Sequence, residues 1–171
     1  MRLVRVGVIG VGHLGQHHAR IYSGISGAKL VGVTDSDPAR THLVAERHGV
    51  VAYRDTSSLL KEVDAVSVAV PTSAHHAVTK ACLEADVHVL VEKPIAATIG
   101  QAEELVELAR RRGRILQVGH VERFNPALLA VRPYIRNPGF IECQRRSPFG
   151  ERGTDVDVVL DLMIHDLDIV L

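Results

Sequence analysis

The sequence predicts an α/β protein: a doubly wound parallel Rossmann sheet, followed by the start of a second, α+β domain that is truncated. Three observations carry this. Short apolar runs recur along the first two-thirds of the chain, each of a length that suits a buried parallel strand. Amphipathic helical periods separate them, the signature of right-handed βαβ units. The first run leads straight into a glycine pattern, Gly10-Val11-Gly12-His13-Leu14-Gly15, that opens a helix.

Taken in order, the apolar runs are Leu3–Ile9, Lys29–Thr34, Ala65–Val70, His88–Val91 and Ile115–Val118. The helix after the glycine loop carries Leu14, His18, Ile21, Tyr22 and Ile25 on one face. A later helix presents Ala74, Ala77, Val78, Ala81, Cys82 and Ala85, and the next presents Ala102, Leu105, Val106 and Ala109. Gly113 stands where that last helix should end. Beyond about Val121 the character changes, with Pro126, Pro133, Pro138 and Pro148 as punctuation. A helix around Pro126–Ile135, a strand around Gly139–Arg145 and an apolar helical segment Val159–Leu171 are expected. Residues 1–121 are therefore read as a dinucleotide-binding domain. Residues 122–171 are read as the incomplete beginning of a substrate and oligomerisation domain, its exposed surface driving association or local disorder near Pro148–Thr154.

Each residue of the loop has a physical task. Gly10 permits the tight turn, Gly12 lets the backbone approach a pyrophosphate, and Gly15 allows the helix to pack close to the strand. The helix N-terminus offers amide donors and a positive dipole end to the phosphates. Asp35 ends the second strand, 20 residues after Gly15. A carboxylate there accepts from the ribose hydroxyls and repels a 2′-phosphate, which favours NAD over NADP, with Arg40 close by as a counter-influence. Glu92-Lys93-Pro94 ends another buried strand, at the edge where open α/β sheets hold ligands. Lys93 is there either a donor to a substrate oxygen or a solvated side chain beside a turn proline.

With 20 basic and 20 acidic residues, the chain has no overall attraction for nucleic acid or an anionic membrane. Arg110–Arg112 and Arg114 fall at a helix C-terminus, where cations complement the dipole; Arg145 and Arg146 are read as surface residues. Cys82 and Cys143 lack metal-ligand spacing, which suits a reduced compartment. No signal peptide and no run of about 20 apolar residues appear, so a cytoplasmic, membrane-free protein is expected. Asp161, His165 and Asp168 share a helix face, but nothing completes a metal site and none is expected. Of the adjacent histidines, His18 is expected to pack or bond locally and His76 to face solvent.

The motifs, in order, are the glycine loop, Asp35, Pro71-Thr72-Ser73-Ala74-His75, Glu92-Lys93-Pro94, Arg123 and Asp161-x-x-x-His165. In that order they resemble the Gfo/Idh/MocA oxidoreductases. The resemblance covers the whole chain but only about the first half of a typical member. It implies that Gly10, Gly12, His13, Leu14 and Gly15 cradle the pyrophosphate and Asp35 holds the adenosine ribose. It further implies that Pro71, Thr72 and His75 line the cofactor crevice, that Glu92 approaches the nicotinamide ribose, and that Lys93 is the catalytic lysine. Asp161 would orient substrate and His165 would act as acid/base, with Arg123 and Asn125 on the substrate side. Gly119–Pro126 and Asp161–Asp166 look like a nucleotide-sugar branch that oxidises the 3-hydroxyl of UDP-N-acetylglucosamine. The run Asp155-Val156-Asp157-Val158-Val159-Leu160 departs from the glycines often found before the catalytic aspartate. The activity implied is transfer of a hydride from a sugar or nucleotide-sugar secondary hydroxyl to NAD, by a homo-oligomer when full length. Either Lys93 or His165 is the formal base. The alternative is a non-catalytic NAD-binding sensor or scaffold, or an inactive fragment.

Overall fold

The computed structural model describes residues 2–145 and 157–171. The chain divides into two compact units, Met1–Val118 and Gly119–Leu171. The first holds six strands: β1 (Val4–Ile9), β2 (Ala28–Thr34), β3 (Val51–Ala52), β4 (Ala65–Val68), β5 (His88–Val91) and β6 (Leu116–Val118). All pair in parallel, in the order β3-β2-β1-β4-β5-β6. The direction of progression reverses between β1 and β4, and such a switch point opens a crevice at the C-terminal edge of the sheet. Register defines that edge: Ile9 is level with Thr34 and with Val68, and Val68 with Val91.

All five strands expected in the first unit form. The sixth, β3, is two residues long, too short to register as an apolar run. Five helices connect the strands: α1 (Gly15–Tyr22), α2 (Pro38–His48), α3 (Thr56–Leu60), α4 (Thr72–Glu84) and α5 (Ile99–Arg112). The sequence marks α2 at both ends. Asp37 accepts from the N–H groups of Ala39 and Arg40, Pro38 takes the first turn, and Gly49 closes the helix in the left-handed region. Two apolar layers sandwich the sheet. Val6, Val8, Leu30 and Val33 pack with Ala19 of α1 and with Val44 and Ala45 of α2. Val66, Val68, Val89 and Val91 pack with Leu59, with Cys82 and Leu83 of α4, and with Leu105 and Leu108 of α5. Burial pushes the Cys82 thiol up to about 12, so it is an inert core group.

The helix faces differ from the periodic reading. Leu14, Ile21 and Ile25 are exposed, and α1 buries Gly15 and Ala19 instead, because a helix lying close to its sheet needs small residues at the contact. On α4 the buried residues are Thr72, His75, Thr79, Cys82 and Leu83, while Ala77, Ala81 and Ala85 face outward. On α5, Leu105, Leu108 and Ala109 are buried and Val106 is exposed. Arg110, Arg111 and Arg112 form the last turn of α5, the placement expected; Arg110 pairs with Glu107, and Arg112 and Arg114 approach Asp86.

In the second unit a 3-10 turn (Val121–Phe124) leads into α6 (Pro126–Val131) and a further 3-10 turn (Arg132–Tyr134). The helix expected through Ile135 tightens there, since Pro133 has no N–H to extend the α-ladder. The strand expected over Gly139–Arg145 does not form. Among the described residues of this unit there is no strand to pair with it, and an unpaired strand has no ladder. The last segment is a π turn (Val159–Met163) running into α7 (Ile164–Val170). Arg145 pairs with Asp166 at 2.9 Å. Arg146, Asp155, Val156 and the stretch from Pro148 to Thr154 lie outside the described residues. Among the described residues no helix is long and apolar enough to cross a membrane.

Two outcomes follow. Leu105→Ala should cost about 2–5 kcal/mol in urea unfolding, whereas Val106→Ala should stay within about 0.5 kcal/mol. Asp64 binds Arg5 through its side chain and its backbone N–H, tying β1 to the start of β4, and these contacts hold its carboxyl down to about 2. A carboxyl depressed by folding contributes fully above its ordinary range and loses that contribution as pH falls through the folded value. Asp64→Asn should therefore lower the thermal midpoint near neutral pH, and the gap from the parent protein should close as pH falls from about 4 to about 2.

Candidate functional site

The glycine loop leaves β1 at the crevice edge. Gly10 has φ +82°, and its N–H donates to the Thr34 carbonyl at 2.8 Å. A Cβ on Gly10 would stand 2.7 Å from the Ala69 carbonyl oxygen, and one on Gly15 would stand 1.8 Å from that of Gly10. Both positions are closed to any side chain. Gly12 is different, since a Cβ there would meet only the Arg40 guanidinium, at 3.8 Å. No side chain caps the start of α1, which leaves that helix end suited to an anion.

Asp35 serves the loop directly. One carboxylate oxygen accepts the Val11 N–H at 2.7 Å. The other accepts the Asp37 N–H at 3.0 Å, the Ser36 hydroxyl at 3.3 Å and Arg40 Nη1 at 3.4 Å. The side chain is only 6% exposed. A carboxylate has about four acceptor sites, so a ribose hydroxyl could dock here only by displacing a partner, and the Arg40 contact is the longest.

A cavity of about 630 Å³ occupies the crevice, a volume typical of ligand pockets. Gly10, Gly12, His13, Leu14, Asp35 and Pro71 line it, as do Arg40, Arg54 and Thr56. The last two did not stand out in the sequence because they lie on a connection with no apolar period. Thr72 and His75 are buried behind the wall that Pro71 forms. His75 is 1% exposed, with Nδ1 2.7 Å from the Pro94 carbonyl oxygen and Nε2 2.9 Å from that of Val70.

Glu92 and Lys93 leave β5 at the same edge. Glu92 is 8% exposed and its carboxylate lies 2.8 Å from His18 Nε2. His18 Nδ1 lies 3.0 Å from Ser67 Oγ, which lies 2.8 Å from the Tyr22 hydroxyl. His18 thus bonds across the fold to β4 and the β5 turn, not locally as its helical position suggested. Lys93 is half-buried and joined to Pro94 by a cis peptide bond. His76, expected to face solvent, is half-buried, with Nε2 2.8 Å from the Glu104 carboxylate, which also holds Lys80.

In the second unit Arg123 forms a two-pronged ion pair with Asp168, whose carboxyl it pulls below the usual range. His120 lies 3.9 Å from the same carboxylate. Asn125 caps α6 by accepting the Ala127 N–H at 3.0 Å. Asp161 lies in the π turn and His165 in α7, both half-buried, so their four-residue spacing crosses a helical irregularity of a kind common at functional sites. Among the described residues no group of three or more His, Cys, Asp or Glu is placed to hold a metal ion.

Residues 4–120 match the model of a family described as an oxidoreductase family with an NAD-binding Rossmann fold. The chain belongs to the Gfo/Idh/MocA oxidoreductase family. It is 43% identical, over 98% of its length, to a UDP-N-acetylglucosamine 3-dehydrogenase of Acidithiobacillus ferrooxidans. The solved structure of an enzyme of that name from the same organism superposes with a TM-score of 0.92 at 42% identity, covering 99% of this chain and 55% of that one. An inositol 2-dehydrogenase of Saccharopolyspora erythraea is 38% identical over 84% of the chain. GenD2, from gentamicin A biosynthesis and solved with NAD, superposes at TM-score 0.76 and 27% identity, covering 78% of this chain and 39% of that one. The chain spans about half the length of the curated relatives it matches, 53% of the first and 46% of the second.

NAD, the cofactor of the Gfo/Idh/MocA model, fits the residues present: an open Gly12, an uncapped helix start and a carboxylate at the end of β2. The three loop glycines should therefore separate experimentally. Gly12→Ala should leave the thermal midpoint nearly unchanged while weakening NAD binding at least about 10-fold in a fluorescence titration, since the methyl occupies the approach of the phosphates. Gly15→Ala should lower the midpoint itself.

Proposed function

We propose that the protein carrying this chain is an NAD-dependent dehydrogenase acting on a secondary hydroxyl of a sugar or nucleotide-sugar, with the 3-hydroxyl of UDP-N-acetylglucosamine as first candidate. The observation that carries this reading is register. Ile9, Thr34, Val68 and Val91 end their strands at one level. Glycine loop, Asp35, crevice wall and Lys93 therefore emerge along a single edge, which supports assigning Lys93 to the reactive end of a bound dinucleotide.

NAD, when bound, supplies the hydride acceptor. The residues of this chain manage the rest. The loop amides and α1 hold the pyrophosphate, and Asp35 takes the ribose. The Lys93 ammonium donates to the substrate oxygen and stabilises the negative charge that develops as the hydroxyl proton leaves. His165, with Asp161 one turn before it, is assigned the acid/base role, and a neutral imidazole accepts such a proton near neutral pH. Arg123 and Asn125 are assigned to the substrate side; for Arg123 this requires exchange of its Asp168 partner for a substrate anion, a trade of one bidentate pair for another. The proposal places the protein in the cytoplasm as a homo-oligomer, in keeping with two free cysteines.

The test is Lys93→Ala in the full-length protein, assayed for NADH production with UDP-N-acetylglucosamine, related UDP-sugars and inositol. Turnover should fall about 10²–10⁴-fold while NAD affinity changes little. Turnover at the parent rate would overturn the assignment.

A further inference from the structure

The geometry points to two histidines, the half-buried His18 and the buried His75, as positioning residues that grip the Glu92-Lys93-Pro94 turn from its two flanks and set where the Lys93 ammonium stands. The inference rests on reading Lys93 as the group that meets the substrate hydroxyl.

The two imidazoles come from opposite layers of the fold. α1, which carries His18, packs in the layer of Val6, Val8 and Val33, and α4, which carries His75, packs in that of Val66, Val68 and Val89. From one side His18 Nε2 reaches the Glu92 carboxylate at 2.8 Å. From the other, His75 Nδ1 reaches the Pro94 carbonyl at 2.7 Å. Lys93 is the residue between the two gripped positions.

Each grip is anchored in turn. With Nε2–H donating to Glu92, His18 Nδ1 accepts from the Ser67 hydroxyl, and Ser67 Oγ accepts from the Tyr22 hydroxyl. Every donor in that chain has an acceptor. Ser67 lies on β4, which pairs with β5 and places Ser67 opposite Leu90. The anchor is therefore the neighbouring strand, not a loop. With Nδ1–H donating to the Pro94 carbonyl, the nearer of its two neighbours, the neutral ring of His75 rests its other nitrogen against the carbonyl of Val70, a residue that also lines the dinucleotide crevice.

Packing alone does not call for these groups. The apolar clusters on both faces of the sheet are continuous without them, and a carboxylate and two imidazoles cost more to bury than aliphatic side chains of similar size. What they supply is a fixed origin for a flexible side chain. A lysine swings on a four-carbon stem, and its ammonium stays in reach of one oxygen only if the backbone beneath it is held.

The experiment is a double-mutant cycle in the full-length protein, measuring kcat, KM for the sugar, NAD affinity and thermal midpoint. His18→Ala and His75→Ala should each lower kcat about 100-fold, the cost of a misplacement of about 1 Å, with NAD affinity held within about 3-fold. Combined with Lys93→Ala, neither should lower the residual rate further, because the residue they position is gone. His18→Gln, which keeps a donor toward Glu92, should recover part of the rate. Ser67→Ala, a minimal change beneath His18, should lower kcat in the same direction and serves where the histidine truncations do not fold. Losses that multiply in full with Lys93→Ala, or variants that lower the midpoint but keep the parent kcat, would overturn the inference. Lys93→Ala alone at the parent rate identifies a failure of the catalytic reading, and the inference falls with it.

Discussion

The carbonyl oxygen of Gly10 lies 1.8 Å from where a Cβ on Gly15 would stand, and the Ala69 carbonyl lies 2.7 Å from where one on Gly10 would stand. β1, the start of α1 and the end of β4 meet at a separation that only bare backbone tolerates. Much of the first unit follows from that approach. It seats α1 low on the sheet, so Ala19 is the residue that fills the contact. It brings His18 and Tyr22, the next positions along the same face, within reach of Ser67 on β4 and Glu92 after β5. It also leaves Gly12 as the outward point of the loop. A helix set even one methyl farther out would lose the polar contacts to β4 along with the phosphate cradle. The geometry of the glycine loop and that of the contacts to the Glu92-Lys93-Pro94 turn thus share one steric cause.

Parts of this were legible in the sequence, for definite reasons. Short, mostly apolar runs between turn residues identify β1, β2, β4, β5 and β6, because a strand buried on both faces needs such a run. β3 has only Val51 and Ala52 and leaves no such trace. Helical faces were less legible. Periodicity rewards large apolar residues, so Leu14 and Ile21 attract attention, whereas close packing selects Gly15 and Ala19. The candidate residues from Gly10 to Lys93 could be named from motif order, but their partners could not. The links from His18 to Ser67 and Glu92 span 49 and 74 residues, and helical spacing rules reach only three or four. In the second unit, residues 139–145 have strand-like composition, yet a strand exists only with a neighbour.

The π turn before His165 changes what the Asp161–His165 spacing means. Four residues on a regular α-helix bring two side chains onto one face. A π turn adds a residue to each hydrogen-bonded loop, so the same spacing rotates the earlier side chain around the axis. The regular-helix spacing therefore does not by itself fix where the two side chains point.

Cofactor preference follows from the charges at the adenosine end of the crevice. Asp35 and Asp55 line it with Arg40 and Arg54, and Asp37 lies 3.5 Å from the Arg40 guanidinium. Hydrogen bonds from Ser57 and Ser58 hold the Asp55 carboxyl at about 2. Three carboxylates thus face two guanidiniums, and Arg40 is already shared between two of the three. A ribose hydroxyl needs only an acceptor, which Asp35 provides once Arg40 yields. A 2′-phosphate needs Arg40 itself, and must draw it from two carboxylates while standing beside a third. The first exchange releases a long, half-exposed contact worth little. The second exchanges existing ion pairs for a new one and adds like-charge repulsion at a nearly buried carboxylate, where screening is weak. With Asp35 assigned to the ribose, discrimination against the phosphorylated dinucleotide would come from the competition for Arg40 as much as from the negative charge of Asp35.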